Sequence, residues 1–98
     1  LIHNPCSSIL HFYKGRSAYE LGLMDVAGEA FENVLAYDPN HIKSLFFMAE
    51  INLELHRIKR ALNLFKRVAK SKEKQFKNYR KLAIEHLNKL NRTQKDSK

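Results

Sequence analysis

The sequence predicts an all-α protein, a solenoid of repeated helix-turn-helix units, on two observations. The first is composition: Leu, Ala, Lys and Glu dominate its 98 residues, with only three glycines and two prolines, which favours helix. The second is a period. Pro5 and Pro39 lie 34 positions apart (39 − 5), and each follows an Asn or Asp. A period of this length is typical of repeat architectures.

The period extends beyond the prolines. Shifting the sequence by 34 positions places Gly15 on Ala49 and then on Ala83, so small residues recur at fixed intervals. Large apolar residues recur in the same way. The matching pairs are Phe12 and Phe46, Leu21 and Leu55, Met24 and Ile58, Ala27 and Ala61, Phe31 and Phe65, and Val34 and Val68. Two helices per repeat follow from this pattern.

Apolar residues at steps of three and four predict five helices, over about 8–21, 25–38, 42–55, 58–71 and 75–90. Gly22 ends the first helix, Asp25 is the expected N-cap of the second, and Asn40 caps the third after Pro39. The inward residues include Leu10, Ala18 and Leu21 on the first helix, and Tyr79, Leu82, Ala83, His86, Leu87 and Leu90 on the fifth.

The expected organisation is a short tail, two units, a cap and a second tail. Residues 1–7 are the tail of a truncated preceding repeat, 8–41 the first unit and 42–75 the second. Residues 76–90 form a capping helix or half-repeat, and 91–98, which lack apolar residues, a disordered basic tail. The N-terminal end would then be uncapped, and self-association through it is expected.

Small residues indicate where helices of one unit cross closely. Gly15 and Ala27 occupy these positions in the first unit, and the second unit and the fifth helix repeat them through Ala49, Ala61 and Ala83. Phe31 and Phe65 would fill the space beside the crossings. A larger side chain at a crossing should cost about 1–3 kcal/mol through overpacking.

Several functional classes find no support in the sequence. One cysteine, Cys6, excludes an intramolecular disulfide and any multi-cysteine zinc site. The five histidines lack metal-ligand spacing, and neither a phosphate-binding loop nor a nucleophile elbow is present. We therefore predict no catalysis, cofactor or metal. The longest apolar run, 45–49, is too short to span a membrane, and no signal peptide is visible, so an intracellular, cytoplasmic protein is expected.

The formal charge of +8 is unevenly distributed. Residues 1–41 carry −3 (two basic against five acidic side chains), and 42–98 carry +11 (16 against five). The basic run from Lys66 to Lys81 contains Phe76 and Tyr79, so binding of nucleic acid or an anionic surface is the alternative function. Against it, Tyr79 falls on the predicted buried side, and known readout modules are absent. A solvated basic face is the third interpretation.

The motifs AGEAF (27–31), DPN (38–40), YKGRSAYELG (13–22) and ALNLF (61–65) together resemble the tetratricopeptide repeat. The resemblance covers about residues 8–73. His11, Lys14 and Ala18 depart from its pattern, and the second unit lacks the glycine turn and the proline. The resemblance implies a superhelix with a concave groove, and a non-catalytic scaffold that binds another protein.

The resemblance also implies which residues line the groove. The partner would be a peptide or helix with acidic and apolar side chains, with Arg80 holding a carboxylate. Phe12 and Phe46 would supply apolar contact area or, alternatively, belong to packing between repeats. Because Phe12, Arg16 and Phe47 replace required Lys and Asn donors, we expect no chaperone carboxylate clamp. The groove positions are Ile9, Phe12, Arg16, Tyr19, Lys43, Phe46, Glu50, Leu53, Lys77, Arg80, Lys81 and Ile84.

Overall fold

The computed structural model describes residues 5–96, and the side chains of 8–90 and 92 within them. Five helices follow one another, and this part of the chain contains no strand, so the all-α prediction is confirmed. The dimensions are 48 × 30 × 22 Å. The helices are α1 (Pro5–Glu20), α2 (Met24–Tyr37), α3 (Ile42–Glu54), α4 (Ile58–Ala69) and α5 (Lys77–Asp96), with a 3₁₀ turn at Lys74–Phe76 before α5.

Each helix packs against the next one in the chain, as expected for stacked helix hairpins. In addition, α3 contacts both α1 and α5 directly. The odd-numbered helices therefore form one layer, and α2 and α4 form the other. This two-layer stack creates two distinct surfaces, one on each side.

The 34-residue period reappears as two equivalent cores. Ala27, Phe31 and Val34 are fully buried in the first unit, as are their counterparts Ala61, Phe65 and Val68 in the second. A Cβ atom on Gly15 would come within 2.9 Å of the Phe31 ring, which explains the glycine at this crossing. Ala49 and Ala83, which follow Gly15 in the period, are also fully buried. The close approach at Gly15 and the burial of these alanines agree with the positions expected at the helix crossings.

The turns between the helices of each unit are also equivalent. Gly22 has a φ of 80°, and His56, 34 positions later, has a φ of 59°. After each, a backbone N–H donates to a carbonyl five residues earlier: Leu23 to Ala18 at 2.9 Å, and Arg57 to Asn52 at 2.8 Å. The second unit therefore keeps the left-handed turn without its glycine.

The start of α1 and the N-caps of α2 and α3 differ from the predicted ones, whereas α3 and α4 begin at Ile42 and Ile58 as predicted. The helix α1 begins at Pro5, a favourable place for proline because the first N–H groups of a helix have no partner within it. Residues 5–7 are therefore helical, where a tail was expected. Residues 1–4 lie outside the described residues. The residue preceding α2 is Leu23, and Asp25 lies in the first turn. His41, not Asn40, caps α3: its Nδ1 accepts from the Ser44 N–H at 3.2 Å.

The helix α5 is longer than predicted. It continues to Asp96, so 91–96 are helical where disorder was expected, and 97 and 98 lie outside the described residues. Lys, Gln and Arg are good helix formers, and the backbone ladder can continue through them without apolar packing.

Three leucines predicted to face inward are exposed. They are Leu10 on α1, Leu21 in the turn directly after it, and Leu82 on α5. On α5 the buried position is Ala83, beside partly buried Tyr79, Leu87 and Leu90. Periodicity identified the helices here, but assigned too broad an inward face to each.

Candidate functional site: the α1–α3–α5 face

Three side chains link the odd-numbered helices across their common face. The Glu50 Oε1 atom of α3 lies 2.8 Å from His86 Nε2 of α5. Burial raises the pKa of Tyr19 on α1, and the negative charges of Glu50 and Glu54 raise it further, as does a hydrogen bond to Glu50. Glu50 therefore connects α1 and α5 through its carboxylate, and the Tyr19 hydroxyl stays protonated.

His86 is also held by aromatic rings. It stacks on Phe65 with 4.8 Å between ring centroids and a 20° interplanar angle, and it lies 6.3 Å from the Phe46 ring. The bond to Glu50 becomes an ion pair when His86 is protonated. This histidine therefore orients Glu50 at the centre of the face. The sequence analysis treated it only as a packing residue.

Phe12 and Phe46 lie in the cores beneath the face, with only 9% and 7% of their surface exposed. The Phe12 ring meets Phe31 at 5.8 Å, and the Phe46 ring meets Phe65 at 5.9 Å. Phe46 also meets Tyr79 of α5, at 5.3 Å. These contacts favour the alternative left open from the sequence, that both rings serve packing within and between the repeats.

At one end of the face, a cavity of about 220 Å³ opens between α1 and the start of α3. Ile9 and Tyr13 are exposed there, and the half-buried Lys43 stands on its α3 side. Burial lowers the pKa of His41, which also lines the cavity; Asp38 opposes this effect and Lys43 adds to it. The described residues that line it are Ser8, Ile9, Phe12, Tyr13, His41 and Lys43.

The cations of the face fall into two groups. Arg16 lies 5.2 Å from the Phe47 ring centroid and 3.4 Å from the Glu20 carboxylate. Arg80 donates to the Ser71 carbonyl at 2.7 Å, which ties α5 to the end of α4. The second group is Lys43, Lys77 and Lys81, whose side chains form no hydrogen bond or ion pair with any other described residue.

Leu53 and Ile84 are the remaining predicted groove positions. Leu53 is half-buried and packs against the core of the second unit, whereas Ile84 is exposed on α5. Among the predicted groove residues, Ile9 and Ile84 are thus exposed apolar side chains, whereas Phe12 and Phe46 are buried. That these residues line one groove stays a prediction.

The basic run from Lys66 to Lys81 crosses the end of α4, the 3₁₀ turn and the start of α5. Its two rings, Phe76 and Tyr79, pack against the core of the second unit. They are therefore not free platforms for stacking bases. Within residues 5–96, no three His, Cys, Asp or Glu side chains converge as a metal site would require, and no helix is long and apolar enough to cross a membrane.

A second cavity, of about 460 Å³, lies between α2 and α4 on the opposite layer. The sequence analysis did not identify it. Asp25, Glu29 and Glu32 line it from α2, at steps of four and three residues. That spacing places the three carboxylates on one side of a helix, and the charge pattern of the sequence could have revealed this acidic row.

Comparison with known proteins supports the fold and a general role. The family profile described as tetratricopeptide repeat matches residues 18–96, from the end of α1 through α5. Neither the comparison with curated proteins nor that with solved structures gives a match. The matched family is typically a non-catalytic module that mediates protein–protein interactions. With the period, the helix pairs and the profile in agreement, the chain belongs to the tetratricopeptide repeat family.

Proposed function

We propose that the α1–α3–α5 face is the concave groove of this repeat protein and binds a peptide or helix of another protein. The observation that carries the proposal is the cavity at its α1 end, where exposed Ile9 and Tyr13 lie opposite Lys43. This site suits an apolar side chain that is followed or preceded by a carboxylate.

The charges along the face support an acidic partner. The Glu50 and Glu20 carboxylates already have partners within the fold, His86 and Arg16 respectively. Lys77 and Lys81, in contrast, remain exposed and unpaired on α5. An acidic segment lying along the groove would gain charge-assisted contacts that the described fold does not itself supply.

The residues that test the groove must be surface residues. Substituting Phe12 or Phe46 would remove core packing, and substituting Arg80 would release Ser71, so loss of binding in such variants would not separate recognition from folding. Lys43, Lys77 and Lys81 avoid this difficulty because none of their side chains forms a hydrogen bond or an ion pair with another described residue.

The experiment is a pull-down with the 98-residue chain and two charge-reversal variants. The groove variant is Lys43→Glu/Lys77→Glu/Lys81→Glu. The matched control is Lys14→Glu/Lys59→Glu/Lys72→Glu, at exposed positions outside the face. Each Lys→Glu change removes two positive units, so both variants carry +2 instead of +8.

The proposal predicts that wild type and control capture the same protein and the groove variant loses it, with or without nuclease. Equal loss in both variants would contradict a groove-specific contact. Capture that disappears on nuclease treatment and falls steeply with salt would favour the alternative, nucleic-acid binding.

A further inference from the structure

The cavity between α2 and α4 has walls of opposite charge. Its α2 wall presents Asp25, Glu29 and Glu32, all exposed, and its other wall presents Arg57 and Arg60, also exposed. None of these five side chains forms a hydrogen bond or an ion pair with another described residue, so the two walls do not neutralise each other.

The floor of the α2–α4 cavity is largely apolar. Met48 and Ile51 of α3 and Leu55, directly after α3, contribute to it, together with Met24 and Leu64 at its sides. One buried amide, Asn52, interrupts this surface; its Nδ2 donates to the Met48 carbonyl at 2.7 Å. An apolar floor between polar walls is the usual design of a binding groove, and about 460 Å³ is in the range of ligand sites.

Gly28 lies on the α2 wall and has no packing role within the described fold. A Cβ atom built on it meets nothing within 4 Å, unlike one on Gly15. Glycine inside a helix lowers stability relative to alanine. Its position on a cavity wall leaves room for close approach of another chain.

The dimensions match a helix. Asp25 and Glu32 are seven residues apart, so the acidic wall extends for about 10 Å, or two turns. A two-turn apolar floor fits the i, i+3 or i+4, and i+7 anchors of an amphipathic helix lying in a groove.

We propose that the α2–α4 cavity is a second docking surface, for an amphipathic helix of another protein with basic residues along one flank and acidic residues along the other. The basic flank lies against α2, the acidic flank against Arg57 and Arg60, and the apolar stripe covers the floor. This surface is on the opposite layer from the α1–α3–α5 face and does not depend on binding there.

Three stapled peptides of about 15 residues test the proposal, since shorter isolated helices are marginal in water. They share one leucine stripe and differ only in their flanks: Lys opposite Glu, Glu on both sides, or Lys on both sides. Reversing a helix in the groove exchanges its flanks, so these three patterns cover the charge combinations. Affinities for the 98-residue chain are measured by fluorescence polarisation.

The proposal predicts that the Lys/Glu peptide binds roughly tenfold more tightly than either of the others. Attraction to the net charge of +8 alone would instead favour the peptide with Glu on both flanks. That result would overturn the proposal.

Glu29→Lys/Glu32→Lys makes most of the α2 wall basic while keeping Asp25 in the first helical turn, where an acidic residue is favourable. The preferred peptide should then become the one with Glu on both flanks. The control, Glu73→Lys/Glu85→Lys, gives the same change in net charge at exposed positions outside the cavity and should keep the wild-type order. Two variants with the same order of preference would overturn the proposal.

Gly28→Leu tests occupancy of the cavity directly. The leucine extends into open space, so binding of the Lys/Glu peptide should fall at least roughly tenfold while thermal stability is retained. The matched control, Asn33→Leu, places the same side chain on an exposed part of α2 outside the cavity and should bind like wild type. A folded Gly28→Leu variant with wild-type affinity would contradict the site. If that variant unfolds, the charge-reversal pair still decides the question.

Discussion

Gly15 and Gly28 lie on the paired helices of the first unit, and alanine at the two positions meets opposite surroundings. At Gly15, a Cβ would lie 2.9 Å from two atoms of the Phe31 ring. That ring is fully buried and stacks on Phe47 at 5.4 Å and 7°, so it has little room to move. At Gly28, the Cβ meets nothing within 4 Å.

Both substitutions gain about 0.5–1 kcal/mol of helix stability because alanine is a better helix former than glycine. Gly15→Ala also incurs an overpacking cost of about 1–3 kcal/mol. We therefore expect Gly28→Ala to raise the free energy of unfolding and Gly15→Ala to lower it by up to about 2.5 kcal/mol. The difference between the variants isolates the overpacking cost, since the helix-propensity gain is common to both.

Urea and thermal unfolding followed by far-UV circular dichroism measure this difference. For a chain of this size, 1 kcal/mol corresponds to roughly 4–8 °C in Tm. Equal stabilisation of both variants would refute the close crossing at Gly15, and with it the packing shared by the two units.

Three further predictions concern the repeat framework. Phe65→Ala should cost about 3–5 kcal/mol in unfolding free energy, measured by urea denaturation, because the ring is fully buried; a cost below about 1 kcal/mol would contradict this packing. Gly22→Ala should destabilise and His56→Gly should stabilise, each by about 1 kcal/mol, because both positions have positive φ; equal signs in thermal melts would contradict the equivalence of the turns. His41→Asn should keep the α3 cap, but the stability of the variant should lose the pH dependence that His41 confers. The pKa of His41 is lowered in the folded state, so its contribution to stability is complete above the ordinary histidine pKa of 6.5 and declines as pH falls below it. Melting curves across that range should show a smaller loss for His41→Asn than for wild type, and parallel curves would contradict the prediction.

The repeat framework was predictable because each element depends on a local pattern that occurs twice. The sequence indicates the same packing at two independent places. Small residues occur at Gly15 and Ala49, and phenylalanines occur at Phe31 and Phe65. The structure departs from the predictions where a single residue, and not a repeated pattern, decides the local backbone geometry. His41 rather than Asn40 caps α3, because its extended backbone lets its side chain accept from the free N–H of Ser44.

The surfaces were harder to predict. Helical periodicity cannot distinguish a ring that faces a groove from one buried between repeats, because both lie on the same side of the helix. Phe12 and Phe46 show this ambiguity. The α2–α4 cavity depends on the separation of two helices, and the pattern of residues within either helix does not predict that separation.

Site-specific photo-crosslinking tests whether the α1–α3–α5 face binds a protein partner. A benzophenone amino acid is placed at Lys43, beside the cavity on α3, or at the exposed Lys59 on α4 as the control. After irradiation in lysate, the crosslinked peptides are identified by mass spectrometry. We expect position 43 to crosslink an acidic and apolar segment of one protein, and position 59 not to do so. The substitutions Lys77→Glu/Lys81→Glu should abolish the crosslink from position 43. Crosslinks to that protein from position 59 alone would contradict binding at this face.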